Sequence, residues 1–294
     1  MRYKYRASLL EKLFDGSNYL FLTVFSIMTV LPFLYVVAAS FTAPEEVLSR
    51  DFILIPHSFS IDAYKYILSA DTVLKSIFVT IYVTIVGTLC NLVFTTLMAY
   101  PLARKDLLGR RTMMFLILFT MLFSGGMIPT FLIVKEVGLL NSLWSLIIPG
   151  AISAFNLIVM KNFFQNLPEG IEESAKIDGC NDLLILIRIV LPLSMPAIAT
   201  FGLFYAVGHW NSYFGAVLYL SDPDKWPLQV LLRKVVILAQ GGVGDSDLFN
   251  ESFVPPSLTV KYAIIVISTV PILLVYPFLQ KHFTKGVLLG SVKG

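Results

Sequence analysis

Six separate apolar runs, each long enough to cross a bilayer, leave this chain little choice of fold. They lie at about residues 18–40, 74–100, 112–134, 142–164, 193–220 and 260–281. A hydrocarbon core takes about 20 apolar residues per helix. Lipid offers no partner to an open backbone, so such runs must become helices. No run carries an internal Asp or Glu, and Lys and Arg stand only at the ends. The whole chain is 14% charged, against about 25% for soluble domains. The expected fold is all-α: a polytopic membrane protein with six transmembrane helices. Pro44, Glu45 and Glu46 follow the first run, with no small-residue cleavage site, so that run reads as a span and not as a removable signal.

Orientation follows from the basic residues. Fourteen of the 22 Lys and Arg fall in the N-terminal segment, the loops after the second and fourth runs, and the C-terminal segment. Eleven of the 19 acidic residues fall on the other side. Both termini and the loop after the fourth run are therefore expected in the cytosol. The chain divides into an N-terminal cytosolic segment 1–17, a membrane domain 18–281 and a C-terminal tail 282–294. Cys90 and Cys180 imply no disulfide framework, and the isolated His57, His209 and His282 make no metal site.

The cytosolic loop 167–192, LPEGIEESAKIDGCNDLLILIRIVLP, is a polar block between apolar segments. Pro168 suits the first turn of a helix, and Glu169, Glu172 and Glu173 favour its positive end. Ile171, Ser174, Ala175 and Asp178 share one mostly small face that another protein could approach closely. Gly179 is a natural left-handed stop, and Asn181 or Asp182 can cap a second helix through Leu183–Val190. Periodicity alone reads this as an amphipathic loop lying on the membrane.

Two outer segments, 41–73 and 221–259, are long enough to have roles. The second contains Gly241, Gly242, Asp245 and Asp247 in a glycine-rich, polar tip. It is either a solvated connector or a docking loop. Inside the runs, Asn91 and Asn156 carry amides that would be costly facing lipid. The fifth run holds Tyr205, His209, Trp210, Asn211, Ser212 and Tyr213. Aromatic faces with neutral hydrogen-bonding groups suit a sugar path. The same groups equally serve helix–helix bonding or an interfacial aromatic belt.

The spacing in the cytosolic loop points further. Glu173-Ser174-Ala175, three residues, Gly179, nine residues, Ile189, one residue, Leu191-Pro192 resembles the EAA loop of ABC-importer permeases. Ser174 and Cys180 stand where that pattern usually has Ala. Glu173 to Gly179 resembles the carbohydrate, maltose-type branch. So do Gly125-Gly126-Met127-Ile128-Pro129 with Gly138-Leu139-Leu140-Asn141, Trp210-Asn211-Ser212-Tyr213, and the tail Lys285-Gly286 through Gly294. The long outer loop is similar to Gram-positive permeases for complex oligosaccharides, of the aldouronate and lipoprotein types.

The resemblance implies a bacterial plasma-membrane permease that imports an oligosaccharide. Glu173, Ser174, Ala175, Asp178 and Gly179 would couple to an ATPase as a cytosolic helix between the fourth and fifth spans. The implied partners are a second permease, two ATPase subunits and an extracytoplasmic binding protein. That binding protein would meet Gly241, Gly242, Asp245 and Asp247. Asn91, Asn156, Tyr205, His209, Trp210, Asn211 and Tyr213 would line the substrate path. The tail would be extended, because Gly286, Gly290 and Gly294 are poor helix formers, and would pack between the ATPases. No Walker-type G-x-x-x-x-G-K-[ST] occurs, so ATP and Mg would be bound by the partner ATPases, with no cofactor or metal in this chain and no enzymatic activity of its own. The alternative, an ion-coupled secondary transporter, would want ionisable residues mid-span.

Overall fold

The computed structural model describes residues 9–239 and 258–291. Among these residues the chain is helical, and its one extended pairing is an isolated antiparallel bridge between Thr42 and Phe59. The helices are α1 (Leu9–Ser40), α2 (Pro44–Ser49), α3 (Asp62–Ser69), α4 (Asp71–Ala103), α5 (Arg110–Leu122), α6 (Met127–Glu136), α7 (Ala154–Gln165), α8 (Glu169–Ile177), α9 (Asp182–Ile185), α10 (Leu191–Leu193), α11 (Met195–Trp210), α12 (Phe214–Tyr219), α13 (Leu228–Ala239) and α14 (Leu258–Ser291).

Three of the apolar runs contain an unbroken helix able to span a bilayer: Leu10–Ser40, Asp71–Ala103 and Leu258–Val275. The other three fold as bent pairs. Arg110–Leu122 meets Met127–Glu136 at 114°, Leu143–Gly150 meets Ala154–Gln165 at 52°, and Asp182–Leu193 meets Met195–Trp210 at 85°. The described chain thus offers three to six membrane helices, where the runs alone suggest six continuous ones. Each break has a local cause. Gly126 opens α6 at φ 87°, a conformation that glycine adopts without penalty. Ile148–Gly150 is a 3₁₀ turn around a proline. Pro192 and Pro196 flank the bend at Ser194, and each lacks a backbone donor.

Two further expectations are corrected. The fifth run is not one helix: α11 stops at Trp210, and α12 begins at Phe214. The tail is not extended as far as Ser291, because α14 carries the helix through Gly286 and Gly290. A glycine costs about 1 kcal/mol in a helix interior, which a growing helix offsets by adding a bond per residue.

Contacts gather into two compact units, one from residues up to Ser69 with Val235–Ile267, the other from Ala70–Lys234 with Ser268 onward. In the second unit the core joins Ala99, Tyr100 and Leu102 of α4 to Ile117 of α5, Leu157, Met160 and Phe164 of α7, and Phe201 and Tyr205 of α11. The buried face of α4 is mostly small or polar as far as Ala99: Ser76, Thr80, Val83, Gly87, Asn91, Thr95, Thr96 and Ala99, with Tyr100 and Leu102 buried at its end. The large apolar Phe78, Ile85 and Leu89 are exposed. This inverts the soluble pattern, as expected where lipid is as apolar as Leu and close backbone packing drives association.

In the first unit, Glu46 of α2 organises the turn that follows. It accepts bonds from the Ser58 hydroxyl at 2.6 Å, the Ser58 amide at 2.8 Å and the His57 amide at 3.1 Å, and pairs with Arg50 at 2.6 Å. Nearby, Phe41 stacks on Tyr64 with centroids 4.8 Å apart, and the Tyr64 hydroxyl bonds Ser40 at 2.7 Å. The Ser58 donors, with smaller contributions from His57 and Arg50, hold the Glu46 carboxyl at about 2, below its ordinary 4.5. A depressed carboxylate stabilises fully above its unfolded value and loses that contribution as pH falls toward the folded one. We therefore expect NMR titration of the Glu46 carboxyl to show an inflection near 2, with the 41–60 segment ordered at pH about 5 and loosening progressively below it. An inflection at the ordinary glutamate value would refute this network.

Candidate functional site

The polar loop 167–192 folds as a capped helix–turn–helix. α8 starts after Pro168, which sits at the N-cap and not inside the first turn. It ends in a Schellman turn: the Cys180 amide donates to the Ala175 carbonyl and the Gly179 amide to that of Lys176, both at 3.0 Å. Gly179 has φ 84°, the left-handed value that this turn requires. The Asn181 side chain then accepts from the Leu184 amide at 2.8 Å and caps α9. A π-helical segment, Leu186–Val190, continues into α10.

The faces of α8 differ from the sequence expectation. Ala175 is buried in this chain's own core, beside Ile185, Leu186 and Val190. Glu173, Ser174 and Asp178 are exposed, and Ile177 is 86% exposed. The small face is therefore split, with Ala175 seating the helix and Glu173, Ser174, Ile177 and Asp178 left open.

A basic residue beyond the end of α4 ties the loop down. One Arg104 nitrogen lies 2.8 Å from Glu172 of α8, and the other lies 3.0 Å from Asp182 of α9. The same guanidinium stacks 4.9 Å from the Tyr100 ring and donates to the Tyr100 hydroxyl. The Arg104 and Glu172 side chains are each 21% exposed. This shielding sets the Glu172 arm apart from fully exposed pairs, worth roughly 0–1 kcal/mol, whereas the Asp182 side chain is 67% exposed. The last carbonyls of α4 are also taken: Gln165 of α7 donates to Ala103, and Arg110 of α5 to Leu102.

Higher on α4, Asn91 has no exposed surface. Its amide donates to the carbonyls of Gly150 and Ala151 at 2.6 and 2.9 Å, at the break before α7. Its oxygen lies 2.5 Å from His209 Nε2 on α11. One turn along, Thr95 bonds the Tyr205 hydroxyl at 2.8 Å. The Ser153 amide donates to that hydroxyl at 3.3 Å. Interhelical bonds in lipid average about 0.6 kcal/mol each, so this lock contributes a few kcal/mol and closes the open backbone at the break. Gly87 makes room for it: a Cβ there would lie 2.5 Å from His209 Nε2.

The remaining proposed path residues scatter. Asn156 is buried on α7. The Trp210 indole donates to the Ser268 carbonyl at 2.8 Å. Asn211 is exposed and accepts from Gln229 at 3.3 Å. Arg233 stacks 4.0 Å over the Tyr213 ring. Gly241, Gly242, Asp245 and Asp247 lie outside the described residues. No cluster able to hold a metal ion occurs among the described residues. Sequence reasoning missed Arg104, Glu172 and Asp182 as partners, because their pairing spans 68 and 78 positions. It also missed Gly87 and Thr95, although Gly87, Asn91 and Thr95 recur every four residues and so share a face.

Residues 84–289 match the family model of the binding-protein-dependent transport system inner membrane component. The polygalacturonan/rhamnogalacturonan transport system permease protein YtcP of Bacillus subtilis is 60% identical over 97% of this chain and 99% of its own. Protein LplC of the same organism is 54% identical over 96% of each. A crystal structure of a bacterial ABC transporter involved in the import of the acidic polysaccharide alginate has a chain that superposes with a TM-score of 0.86. It is 36% identical, covering 94% of this chain and 99% of that one.

Gly87→Ala should drive a methyl into the His209 ring and cost about 1–3 kcal/mol, read as a lower thermal unfolding midpoint in detergent. Adding His209→Ala should recover part of the loss, and a double variant no more stable than Gly87→Ala alone would argue against the close approach.

Proposed function

We propose, from the premise that this chain belongs to the family of binding-protein-dependent transport system inner membrane components, that it is a permease subunit of an ATP-driven importer of oligosaccharides cut from acidic polysaccharide. Each bent pair belongs to one membrane crossing, which makes six spans with both termini in the cytosol. The excess of Lys and Arg on that side supports this topology. α8 is the coupling helix. The observation that carries this role is a helix stopped by a Schellman turn, whose Glu173, Ile177 and Asp178 stand open while Ala175 anchors it inward. An ATPase surface can therefore grip it without first unfolding anything.

ATP-driven closure of two ATPase subunits moves α8 as a rigid body. The spans then rock between inward- and outward-open arrangements, a packing-based two-state switch. ATP and Mg are held by those partner subunits, and this chain hydrolyses nothing itself. A second permease completes the pathway, and an extracytoplasmic binding protein delivers the sugar to the outer loop, with 241–254 as its contact. Two similarities support the substrate class: one to a permease named for polygalacturonan and rhamnogalacturonan, the other to an alginate importer. The exposed Arg233 beside Tyr213 supplies a cation and an aromatic face, which suits a uronate's carboxylate and ring. Asn156, Asn211 and Tyr213 complete the proposed path, while Asn91, Tyr205 and His209 hold the helices that line it.

Glu173→Lys and Gly179→Pro should leave the protein inserted while uptake falls at least about tenfold per ATP hydrolysed; proline cannot take the φ of 84° that residue 179 adopts. Normal uptake by both variants would remove α8 from the coupling role. Cells lacking this permease should lose uptake of labelled tetragalacturonate and keep uptake of a neutral xylotetraose. The reverse pattern would overturn the acidic class.

A further inference from the structure

The C-terminal end of α4 is a junction. Within three residues, Leu102 to Arg104, it is held by side chains from four other elements: Arg110 of α5, Gln165 of α7, Glu172 of α8 and Asp182 of α9. The first two satisfy carbonyls that any helix end leaves open. The last two do something different, because they connect a membrane helix to both arms of the cytosolic turn. Arg104 is suited to this. Its planar guanidinium reaches two carboxylates at once, and Tyr100, which is buried, braces it from below through ring stacking and a hydroxyl bond. Lys176, 3.5 Å from Asp182, further fixes the second carboxylate.

From that junction α4 runs unbroken to the polar lock. Asn91 is 13 positions from Arg104, or about 20 Å at 1.5 Å per residue. At Asn91 and Thr95 the helix holds the break at residues 150–153 and the α11 side chains His209 and Tyr205. One continuous helix, with Pro101 in its last turn, therefore has the coupling loop fastened to one end and a helix break fastened along its length. Demonstrated coupling needs an element whose displacement both sites bias, and α4 is placed to be that element.

We propose that Arg104 is the positioning residue that fastens the coupling helix to α4, so that displacement of α8 by the ATPase is delivered to the Asn91–Thr95 lock and opens or closes the break before α7. This rests on the reading of α8 as a coupling helix. Arg104 touches neither nucleotide nor sugar in this scheme. It sets whether α8 and α4 move together.

The test is hydrogen–deuterium exchange on the complete importer in lipid nanodiscs, comparing the nucleotide-free state with the state held by Mg-ATP and vanadate. In the unaltered complex, peptides covering 169–180 and 150–156 should both change exchange on nucleotide binding. In Arg104→Gln the 169–180 response should persist, while the 150–156 response falls at least about fivefold. The double variant Glu172→Gln with Asp182→Asn, which leaves Arg104 and its packing on Tyr100 in place, should lose the 150–156 response in the same way, which a role of mere packing at residue 104 would not allow. A wild-type response at 150–156 in Arg104→Gln overturns the proposal. So does a wild-type response in the double variant, because Arg104 would then act through packing and not through the pairing. If 169–180 does not respond even in the unaltered complex, the coupling reading fails and takes this proposal with it. Failure at 150–156 alone leaves the coupling helix standing.

Discussion

A bilayer core contains no water to satisfy an open backbone group. That constraint governs this structure because three of its apolar runs are bent. Each bend frees carbonyls and amides that need partners from elsewhere in the chain. At the break before α7 the partners are visible: the Asn91 amide takes two carbonyls, and the Tyr205 hydroxyl takes the Ser153 amide. Without these groups the bend would carry unsatisfied polar atoms, at several kcal/mol each in hydrocarbon. The irregular segment is tolerated because α4 and α11 supply its partners.

The same constraint explains the character of α4. A helix that must approach others closely, and hydrogen-bond to them, needs small and polar residues on its inner face. Ser76, Thr80, Gly87, Asn91, Thr95 and Ala99 provide much of that face, and bulky residues such as Phe78, Ile85 and Leu89 turn outward. Gly87 illustrates the tolerance: one methyl would collide with the His209 ring that the Asn91 oxygen meets. At its C-terminal end the helix leaves the apolar run, and the chemistry changes with it. Charged forks and side-chain caps replace neutral amides, and Arg104 joins Glu172 to Asp182. One helix thus carries two kinds of connection suited to two solvents.

Much of the 167–192 turn was legible. Gly179 as a left-handed stop and Asn181 as a cap are local requirements, and a local sequence states them. The inward turn of Ala175 was not legible, because helical periodicity groups Ile171, Ser174, Ala175 and Asp178 without saying which neighbour waits on either side. The Glu172 role was hidden similarly. Its carboxylate suits the start of any helix, and only the approach of Arg104 gives it a partner. The tail misled in the opposite direction: glycine propensity argued against helix, yet α14 extends through Gly286 and Gly290, since propensity is a small term beside the continuation of a long helix.

Chain chemistry alone settled that this is a helical membrane protein, which loops carry the positive charge, and where a capped polar turn interrupts the apolar runs. These follow from hydropathy, charge and backbone preference, each of which acts over a few residues. Folding in three dimensions decided where the runs break, which polar groups are spent on holding helices together, and which face of α8 stays open. Those outcomes depend on pairs such as Asn91 with His209, and Arg104 with Glu172, set 118 and 68 positions apart. A hydrogen bond or ion pair acts over about 3 Å, and no local pattern records which distant residues the fold brings within that range.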